Sequence, residues 1–271
     1  MSYSFKDKVV IITGSNLGIG KSTAIELARQ GAKVVLNGRS LDRLTTTKEQ
    51  IEKLNAPVLA VQADVTSYSG CIELMKKTIA RFGKIDILIN NAGVSMRGNF
   101  EEVEPEVFKQ VMEVNYLGAV NATKAALPYL KESNGRIMFI SSVAGIRGLQ
   151  SISAYCSAKM ALTALAESLK IELHGTGITI GITYVGYTQN DPVKRTIAAD
   201  GSLIPIEARS EKNAQTTDEV ALAILKNIRK RRFKTVLTSL GKLNAFANKL
   251  FPRLVDRMLI MANEKFKRMS K

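Results

Sequence analysis

Short runs of consecutive apolar residues alternate along the chain with longer segments whose apolar positions recur every three or four residues. Unbroken β-branched runs are typical of strands buried on both faces, and the three-to-four spacing is typical of amphipathic helices. The pattern predicts strands at 9–12, 33–36, 58–61, 85–89, 136–140 and 178–184, separated by helices at about 18–31, 41–54, 71–82, 105–130 and 153–174.

Regular alternation of strands and helices indicates βαβ units, whose right-handed crossovers cover both faces of a parallel sheet. We therefore predict an α/β fold, a Rossmann-like, doubly wound parallel sheet in three layers, with ligands at the carboxyl ends of the strands. A chain of 271 residues is compatible with a single domain of this type. We expect this domain at residues 1–234, including a substrate loop at 190–213, followed by a helical C-terminal extension at 235–271.

The composition narrows the classes of function. Hydrophobic residues make up 45% of the chain and the mean hydropathy is +0.01, which is ordinary for a globular protein and excludes long disorder. We predict a reducing, cytoplasmic setting, because the two cysteines are far apart in the sequence and there is no apolar leader. There is also no apolar stretch long enough to span a bilayer. With a single histidine, His174, at the end of a predicted helix, we expect neither a metal site nor imidazole-based hydrolysis.

The net charge of +15 is concentrated near the end of the chain. Residues 224–271 contain 14 Lys and Arg against two acidic residues, a net +12, so residues 1–223 carry only +3. Apolar residues in the same region follow a helical stripe that Pro252 interrupts or kinks. The stripe consists of Leu240, Leu243, Ala247, Leu250, Phe251, Leu254 and Met258, with Lys242, Lys249, Arg253 and Arg257 largely to its sides.

Two interpretations of this tail stay open. The stripe packs on the domain, as a lid or a subunit interface, or it lies on an anionic membrane surface as a basic amphipathic helix. We do not expect nucleic-acid binding, because the tail lacks interleaved exposed aromatic residues.

A glycine-rich segment, Thr13-Gly14-Ser15-Asn16-Leu17-Gly18-Ile19-Gly20, directly follows the first strand. Glycines in such a turn let the backbone approach a pyrophosphate, whose charge is favoured at the positive end of the following helix. Because a strand precedes the segment and a helix follows it, we expect the loop to bind a dinucleotide cofactor.

The spacing Thr-Gly-x-x-x-Gly-x-Gly resembles that of the short-chain dehydrogenases/reductases, and five further matches to that family follow in the same order. They are Asp64-Val65 after the third strand, Asn90-Asn91-Ala92-Gly93 after the fourth, Asn115 in the fourth helix, Ser142, and Tyr155-x-x-x-Lys159. Ser142 lies 27 residues after Asn115 and 13 before Tyr155. The resemblance covers residues 6–190 and implies the family's fold and its nicotinamide-dependent interconversion of carbonyl and alcohol groups.

Tyr155 and Lys159 are four residues apart on a predicted helix and therefore share a face. An ammonium beside a phenol favours the phenolate, so the pair can exchange a proton near neutral pH. The resemblance implies that Tyr155 donates a proton to the substrate oxygen and that Ser142 hydrogen-bonds the same oxygen. It also implies that Lys159 holds the nicotinamide ribose and perturbs Tyr155, and that Asn115 anchors a water. Ser141 is expected to be a structural hydroxyl.

The choice of cofactor depends on the end of the second strand, Asn37-Gly38-Arg39-Ser40. No carboxylate stands there to accept from the ribose 2′-hydroxyl of NAD, whereas Arg39 suits the 2′-phosphate of NADP. We therefore expect NADP(H), with hydrogen bonds added by Ser15, Asn16 and Ser40. The resemblance extends the cofactor-binding set to Gly14, Gly18, Ile19, Gly20, Asp64, Val65, Asn91, Ala92, Gly93, Tyr155 and Lys159.

One position departs from the family's pattern. After the sixth strand the family usually carries Pro-Gly beside the nicotinamide, and here the matching pair is Val185-Gly186. Valine keeps the N–H that proline lacks and does not fix φ. We still expect a nicotinamide pocket formed by Val185, Gly186 and Thr188.

The substrate is expected to be a hydrophobic carbonyl compound or alcohol. Residues 91–96 and 155–159 and the long extension look closest to the branch that contains 11-beta-hydroxysteroid dehydrogenase, which implies lipid, steroid or retinoid-like substrates. The alternative is a catalytically silent NADP-binding scaffold or lipid-surface binding protein. The resemblance also implies a homodimer or homotetramer paired through the two long helices. The expected apolar lining is Val94, Ser95, Met96, Ile146, Leu149, Ile197, Leu203, Ile204 and Ile206.

Overall fold

The computed structural model describes residues 3–189, 191–206 and 214–269. For residues 265–269 the description is limited to the helical backbone. Seven strands form a parallel sheet in the order β3-β2-β1-β4-β5-β6-β9, and two form a separate antiparallel hairpin, β7-β8. The strands are β1 Val9–Ile12, β2 Lys33–Gly38, β3 Val58–Gln62, β4 Ile87–Asn90, β5 Arg136–Ser142, β6 Thr179–Val185, β7 Arg195–Ile197, β8 Leu203–Pro205 and β9 Lys234–Val236.

Helices cover both faces of the large sheet. Alternate residues of β1 point to opposite sides, so Val9 and Ile11 belong to one buried cluster while Val10 and Ile12 belong to another. The helices are α1 Gly18–Arg29, α2 Leu41–Glu52, α3 Tyr68–Phe82, α4 Pro105–Met112, α5 Gly118–Glu132, α6 Ser153–Glu172, α7 Thr217–Arg229, α8 Ser239–Leu250 and α9 Pro252–Met269.

The predicted doubly wound parallel sheet is confirmed. Its strand order reverses between β1 and β4, and this reversal opens a crevice at the carboxyl ends of these strands, where α/β proteins bind ligands. The loops that carry the predicted site residues leave the sheet at this edge. At the far edge β9 pairs with β6 at residues 234–236, so the sheet continues two residues beyond the boundary expected at 234.

The C-terminal extension forms two helices separated at Phe251, so the predicted interruption at Pro252 is confirmed. Pro252 is the first residue of α9, where a missing N–H costs no intrahelical hydrogen bond. In the part of the chain that the structure describes, no helix is both long and apolar enough to cross a membrane.

Candidate active site

The glycine-rich loop lies between β1 and α1 and brings its backbone close to the chain after β4. Gly14 has a φ of +63°, and a Cβ there would lie 2.8 Å from the Cα of Ala92. A Cβ on Gly20 would overlap the Gly14 carbonyl oxygen and the Asn91 side-chain nitrogen. A Cβ on Gly18, the first residue of α1, would meet nothing within 4 Å. Gly14 and Gly20 thus allow the backbone segments to pack closely. Gly18 leaves room for a pyrophosphate at the amino terminus of the helix.

Thr13 and Asn91 hold this loop against the carboxyl end of β4. The Thr13 hydroxyl oxygen accepts from the N–H groups of Asn91 and Ala92, both at 3.0 Å. In return, the Asn91 side-chain nitrogen donates to the carbonyl oxygens of Thr13 and Gly14, also at 3.0 Å. Thr13 is the first residue of the glycine-rich motif, but the motif alone predicted no role for its side chain.

The side of the loop nearest β2 carries the residues expected to select the cofactor. Arg39 is exposed, with an Nη1 atom 3.8 Å from an Asp64 carboxylate oxygen. Ser40 is the N-cap of α2 and accepts from the Arg43 N–H. The Ser15 hydroxyl is buried and accepts from the Asn37 N–H at 2.9 Å, so it fixes the loop to β2.

Two neighbouring residues complete this side. The Asn16 side chain lies over Gly38, where a Cβ would be 3.2 Å from its Oδ1. Val65 is buried after β3 and packs against Gly118, so it helps form the wall beside Asp64.

Ser142, Tyr155 and Lys159 lie at the carboxyl end of β5 and on the first turns of α6. Ser142 is the last residue of β5, and its hydroxyl accepts from the Ala144 N–H at 3.2 Å. The Lys159 nitrogen is 5.6 Å from the centre of the Tyr155 ring and donates to the Ile140 carbonyl oxygen at 3.0 Å. The Ser141 hydroxyl donates to the Lys159 carbonyl oxygen at 3.2 Å, a structural contact as expected. The predicted catalytic side chains therefore share one end of the sheet.

Lys159 is a buried cation. Burial, and to a smaller extent the positive charge of Lys194, lowers the pKa of its ammonium to about 7. Lys194 belongs to the segment after β6, and no sequence motif predicted its role.

Asn115 lies in a π-helical turn, Glu113–Leu117, between α4 and α5. Such turns are frequent at functional sites because they shift the side-chain register of a helix locally. The buried Asn115 amide nitrogen donates to the carbonyl oxygens of Val94 and Val111 at 2.9 and 3.0 Å, and its oxygen accepts from the Val94 N–H at 3.2 Å. Asn115 therefore fixes the loop after β4 beside Gly93.

The segment after β6 forms the remaining wall. A Cβ on Gly186 would lie 2.6 Å from a Thr238 side-chain carbon, so glycine at this position allows the start of α8 to approach. Val185 is buried, and the Thr188 hydroxyl donates to the Gly186 carbonyl oxygen at 3.3 Å. Further along, an Asp191 carboxylate oxygen accepts from the Gly18 N–H at 3.3 Å. Asp191 therefore reaches the amino terminus of α1, the position expected for a pyrophosphate.

The expected apolar lining is wrong for two of its residues. Val94, Ile146 and Leu149 are half-buried near the site, whereas Met96 and Ile197 are fully buried in a cluster with α4 and α6. They cannot line an open pocket because β7 bridges the loop after β4 at these two residues. Leu203 and Ile204 are exposed on β8. Residue 190 and residues 207–213 of the expected substrate loop lie outside the described residues.

The two cysteines and the histidine differ in exposure. Cys71 and Cys156 are buried free thiols, and His174 is exposed two residues after the end of α6. Within the ranges that the structure describes, no group of His, Cys, Asp and Glu side chains is arranged to hold a metal ion.

The crevice, the glycine loop and the Ser-Tyr-Lys group thus lie together at the carboxyl ends of the strands. The model of the short chain dehydrogenase family matches residues 8–201. The chain therefore belongs to the short chain dehydrogenase family.

Similar proteins include a 3-dehydrosphinganine reductase and an 11-beta-hydroxysteroid dehydrogenase-like protein. The chain is 41% identical over 181 residues to a 3-dehydrosphinganine reductase of Danio rerio, covering 65% of this chain and 54% of the relative. It is 37% identical over 211 residues to the 11-beta-hydroxysteroid dehydrogenase-like protein 4A of Arabidopsis thaliana, covering 75% and 70%. The matched part thus spans about half the length of the first of these relatives.

Solved structures share the fold. An alcohol dehydrogenase from the archaeon Thermococcus sibiricus, complexed with 5-hydroxy-NADP, is 30% identical with a TM-score of 0.75, covering 87% of this chain and 98% of that one. A short chain dehydrogenase/reductase from Burkholderia phymatum, in complex with NAD, has a TM-score of 0.82 at 24% identity, covering 93% and 96%. Because its sequence identity is only 24%, the second structure is evidence for the fold alone.

Proposed function

We propose that this protein is an NADP(H)-dependent reductase that interconverts a carbonyl and an alcohol on a hydrophobic, lipid-, steroid- or retinoid-like substrate. The observation that carries the proposal is the placement of Ser142, Tyr155 and the buried Lys159 at one end of the sheet, beside the glycine loop. In this family such a group works with a nicotinamide cofactor, which supplies or accepts a hydride when bound.

The proposed mechanism uses the side chains as follows. The Tyr155 hydroxyl donates a proton to the carbonyl oxygen during reduction and takes it back during oxidation. The Ser142 hydroxyl donates a hydrogen bond to the same oxygen and orients the substrate. Lys159 binds the nicotinamide ribose and favours the phenolate of Tyr155, while Asn115 holds a water that connects the site to solvent.

The residues present fit a dinucleotide. The open space above Gly18 and the close packing at Gly14 and Gly20 form a backbone cradle for its pyrophosphate. Asp64 and Val65 would contact the adenine, and Asn91, Ala92, Gly93, Val185, Gly186 and Thr188 would surround the nicotinamide.

The proposed preference for NADP(H) rests on Arg39. Its exposed guanidinium stands at the carboxyl end of β2, and no carboxylate follows this strand directly. The nearby Asp64 carboxylate is 3.8 Å away, a separation at which an exposed ion pair is weak, so Arg39 can turn to a 2′-phosphate at little cost.

The proposed setting is the cytoplasm, as a homodimer or homotetramer with peripheral attachment to an anionic membrane surface. Pairing through the two long helical segments is supported by the exposed apolar residues Leu117, Met160 and Ile171 on them. Attachment is supported by the charge and exposure of α8 and α9.

The test is oxidation of NADPH and NADH by the full chain with a panel of long-chain 3-ketones, steroid ketones and retinal, with detection of the alcohol product. NADPH-dependent formation of an alcohol from an apolar ketone is expected. Cofactor binding without turnover of any panel member would contradict the proposal and favour the silent scaffold.

A further inference from the structure

The outward sides of α8 and α9 form an apolar surface, here called the tail face. Its large side chains are between 51 and 68% exposed, unlike the apolar side of a helix that packs on a core. The tail face consists of Leu240, Leu243, Phe246, Leu250, Phe251, Leu254, Met258 and Met261.

The opposite side of α8 packs on the domain. Gly241 is buried, and a Cβ there would lie 2.9 Å from a Val236 methyl carbon and 3.0 Å from a Val143 methyl carbon. This inner side also carries residues spaced four and three apart along α8, namely Gly241, Ala245 and Asn248. At 100° per residue, Leu243 and Leu250 fall on the side away from the domain.

Arg147 joins this hairpin of helices to the active site. Its guanidinium donates to Asn248 on α8 and forms an ion pair with Asp256 on α9. Arg147 lies five residues after Ser142 and next to Ile146, so the same loop borders the expected substrate position and holds the tail. At the other end of α8, its N-cap Thr238 contacts Gly186 beside the expected nicotinamide position.

Charge identifies the occupant of the tail face. Residues 239–271 contain eight Lys and Arg against two acidic residues, a net +6, and Lys242, Lys249, Arg253 and Arg257 on α8 and α9 are exposed. A second copy seated on the face would bring two such tails together, whereas anionic lipid headgroups would neutralise them. The apolar side chains match the boundary between headgroups and acyl chains.

We infer that the tail face docks on an anionic bilayer surface and that Arg147 holds the mouth of the active site against that surface, so that an apolar substrate enters from the bilayer. The evidence for docking is the exposed apolar residues of the tail face and the positive charge of α8 and α9. The route of the substrate rests on the proposed function.

Docking is tested by flotation of the full chain with vesicles of phosphatidylcholine alone or mixed with phosphatidylserine, at low and high salt. We expect binding to the mixed vesicles at low salt and release at high salt. The double variant Leu250→Asp, Leu254→Asp should bind at least about tenfold more weakly, because it places charges within the apolar face. The matched control is Leu222→Asp on α7, a similarly exposed leucine, with circular dichroism to confirm folding.

Failure of the full chain to float with anionic vesicles would overturn the inference. So would an equal loss in the Leu222 control, or self-association through the tail face that persists when anionic vesicles are added. In the last case the occupant is a second copy.

The role of Arg147 is tested by comparing NADPH oxidation with a water-soluble ketone and with a long-chain ketone dissolved in anionic vesicles. Arg147→Glu should still float but should lower the ratio of vesicle-borne to soluble turnover. The double variant Arg147→Glu, Asp256→Arg should restore that ratio. An unchanged ratio in Arg147→Glu would overturn the coupling.

The two proposals fail differently. Flotation without turnover of any ketone contradicts the proposed function only. Turnover of the soluble ketone without flotation contradicts the docking only.

Discussion

The side-chain nitrogen of Lys159 lies 3.0 Å from the carbonyl oxygen of Ile140, two residues before Ser142 on the same strand. The lysine on α6 is therefore anchored to β5, which carries the catalytic serine. This contact fixes a buried cation within 5.6 Å of the Tyr155 ring before any ligand arrives. Because the contact with a neutral carbonyl leaves burial uncompensated, the pKa of Lys159 is about 7.

Binding of NADPH is predicted to take up a proton on Lys159. Above pH 7 the lysine of the free protein is largely neutral, and the cofactor's phosphates favour its ammonium form, so affinity should fall as pH rises above about 7. Calorimetry at pH 8 in two buffers of different ionisation enthalpy measures the uptake. Lys159→Met should abolish it, and Lys170→Met, on the exposed side of α6, should not. Equal uptake in Lys159→Met would contradict the assignment.

Arg39→Ala should weaken NADPH binding by about 1.5 kcal/mol, roughly tenfold, because it removes a hydrogen bond to a charged group. Binding of NADH, which lacks the 2′-phosphate, should change little. Titration of cofactor fluorescence measures both affinities. The control is Arg29→Ala at the last turn of α1, far from the loop. Equal losses for the two cofactors would make Arg39 a structural residue.

Gly20→Ala should disrupt the glycine loop, because its methyl group would overlap Gly14 and Asn91. We expect a loss of about 1–3 kcal/mol in the free energy of unfolding, typical of overpacking, together with weaker cofactor binding. Denaturant titration measures the first effect. Gly148→Ala, whose methyl group would meet nothing within 4 Å, should be nearly neutral. Similar stability of the two variants would refute the close approach.

Asp191→Asn should bind NADPH more tightly. The carboxylate accepts from the Gly18 N–H, so a phosphate must displace a like charge to reach this donor. Loss of a charge-assisted hydrogen bond of about 1.5 kcal/mol corresponds to roughly tenfold tighter binding. Asp200→Asn, in an exposed turn, is the control. Unchanged or weaker binding by Asp191→Asn would show that Asp191 does not compete with the cofactor.

Local patterns predicted most of the fold. Unbroken apolar runs identified the six strands from 9–12 to 178–184, because strands covered on both faces need apolar residues at every position. The i,i+4 spacing of Tyr155 and Lys159 placed both on one side of α6. By contrast, the segment at 105–130 was predicted as one regular helix, and its apolar periodicity gave no sign of the π turn at Asn115.

Long-range side-chain contacts could not be predicted in this way. Asp191 reaches Gly18 across 173 residues, and Arg147 reaches Asp256 across 109, so no local spacing encodes either pair. Met96 and Ile197 were expected in a pocket because they are apolar and follow strands. The β-bridge between Met96 and Ile197, which the sequence does not reveal, makes both of them core residues.

Transfer of a proton from Tyr155 to the carbonyl oxygen is the step on which the proposed function depends. The most direct measurement is NADPH oxidation by Tyr155→Phe with the best ketone of the panel, alongside NADPH affinity and the control Tyr68→Phe on the exposed side of α3. We expect turnover lowered by at least about 100-fold with nearly unchanged NADPH affinity, because the variant lacks the proton that the substrate oxygen must receive. Turnover within a few-fold of the unmodified protein would contradict it.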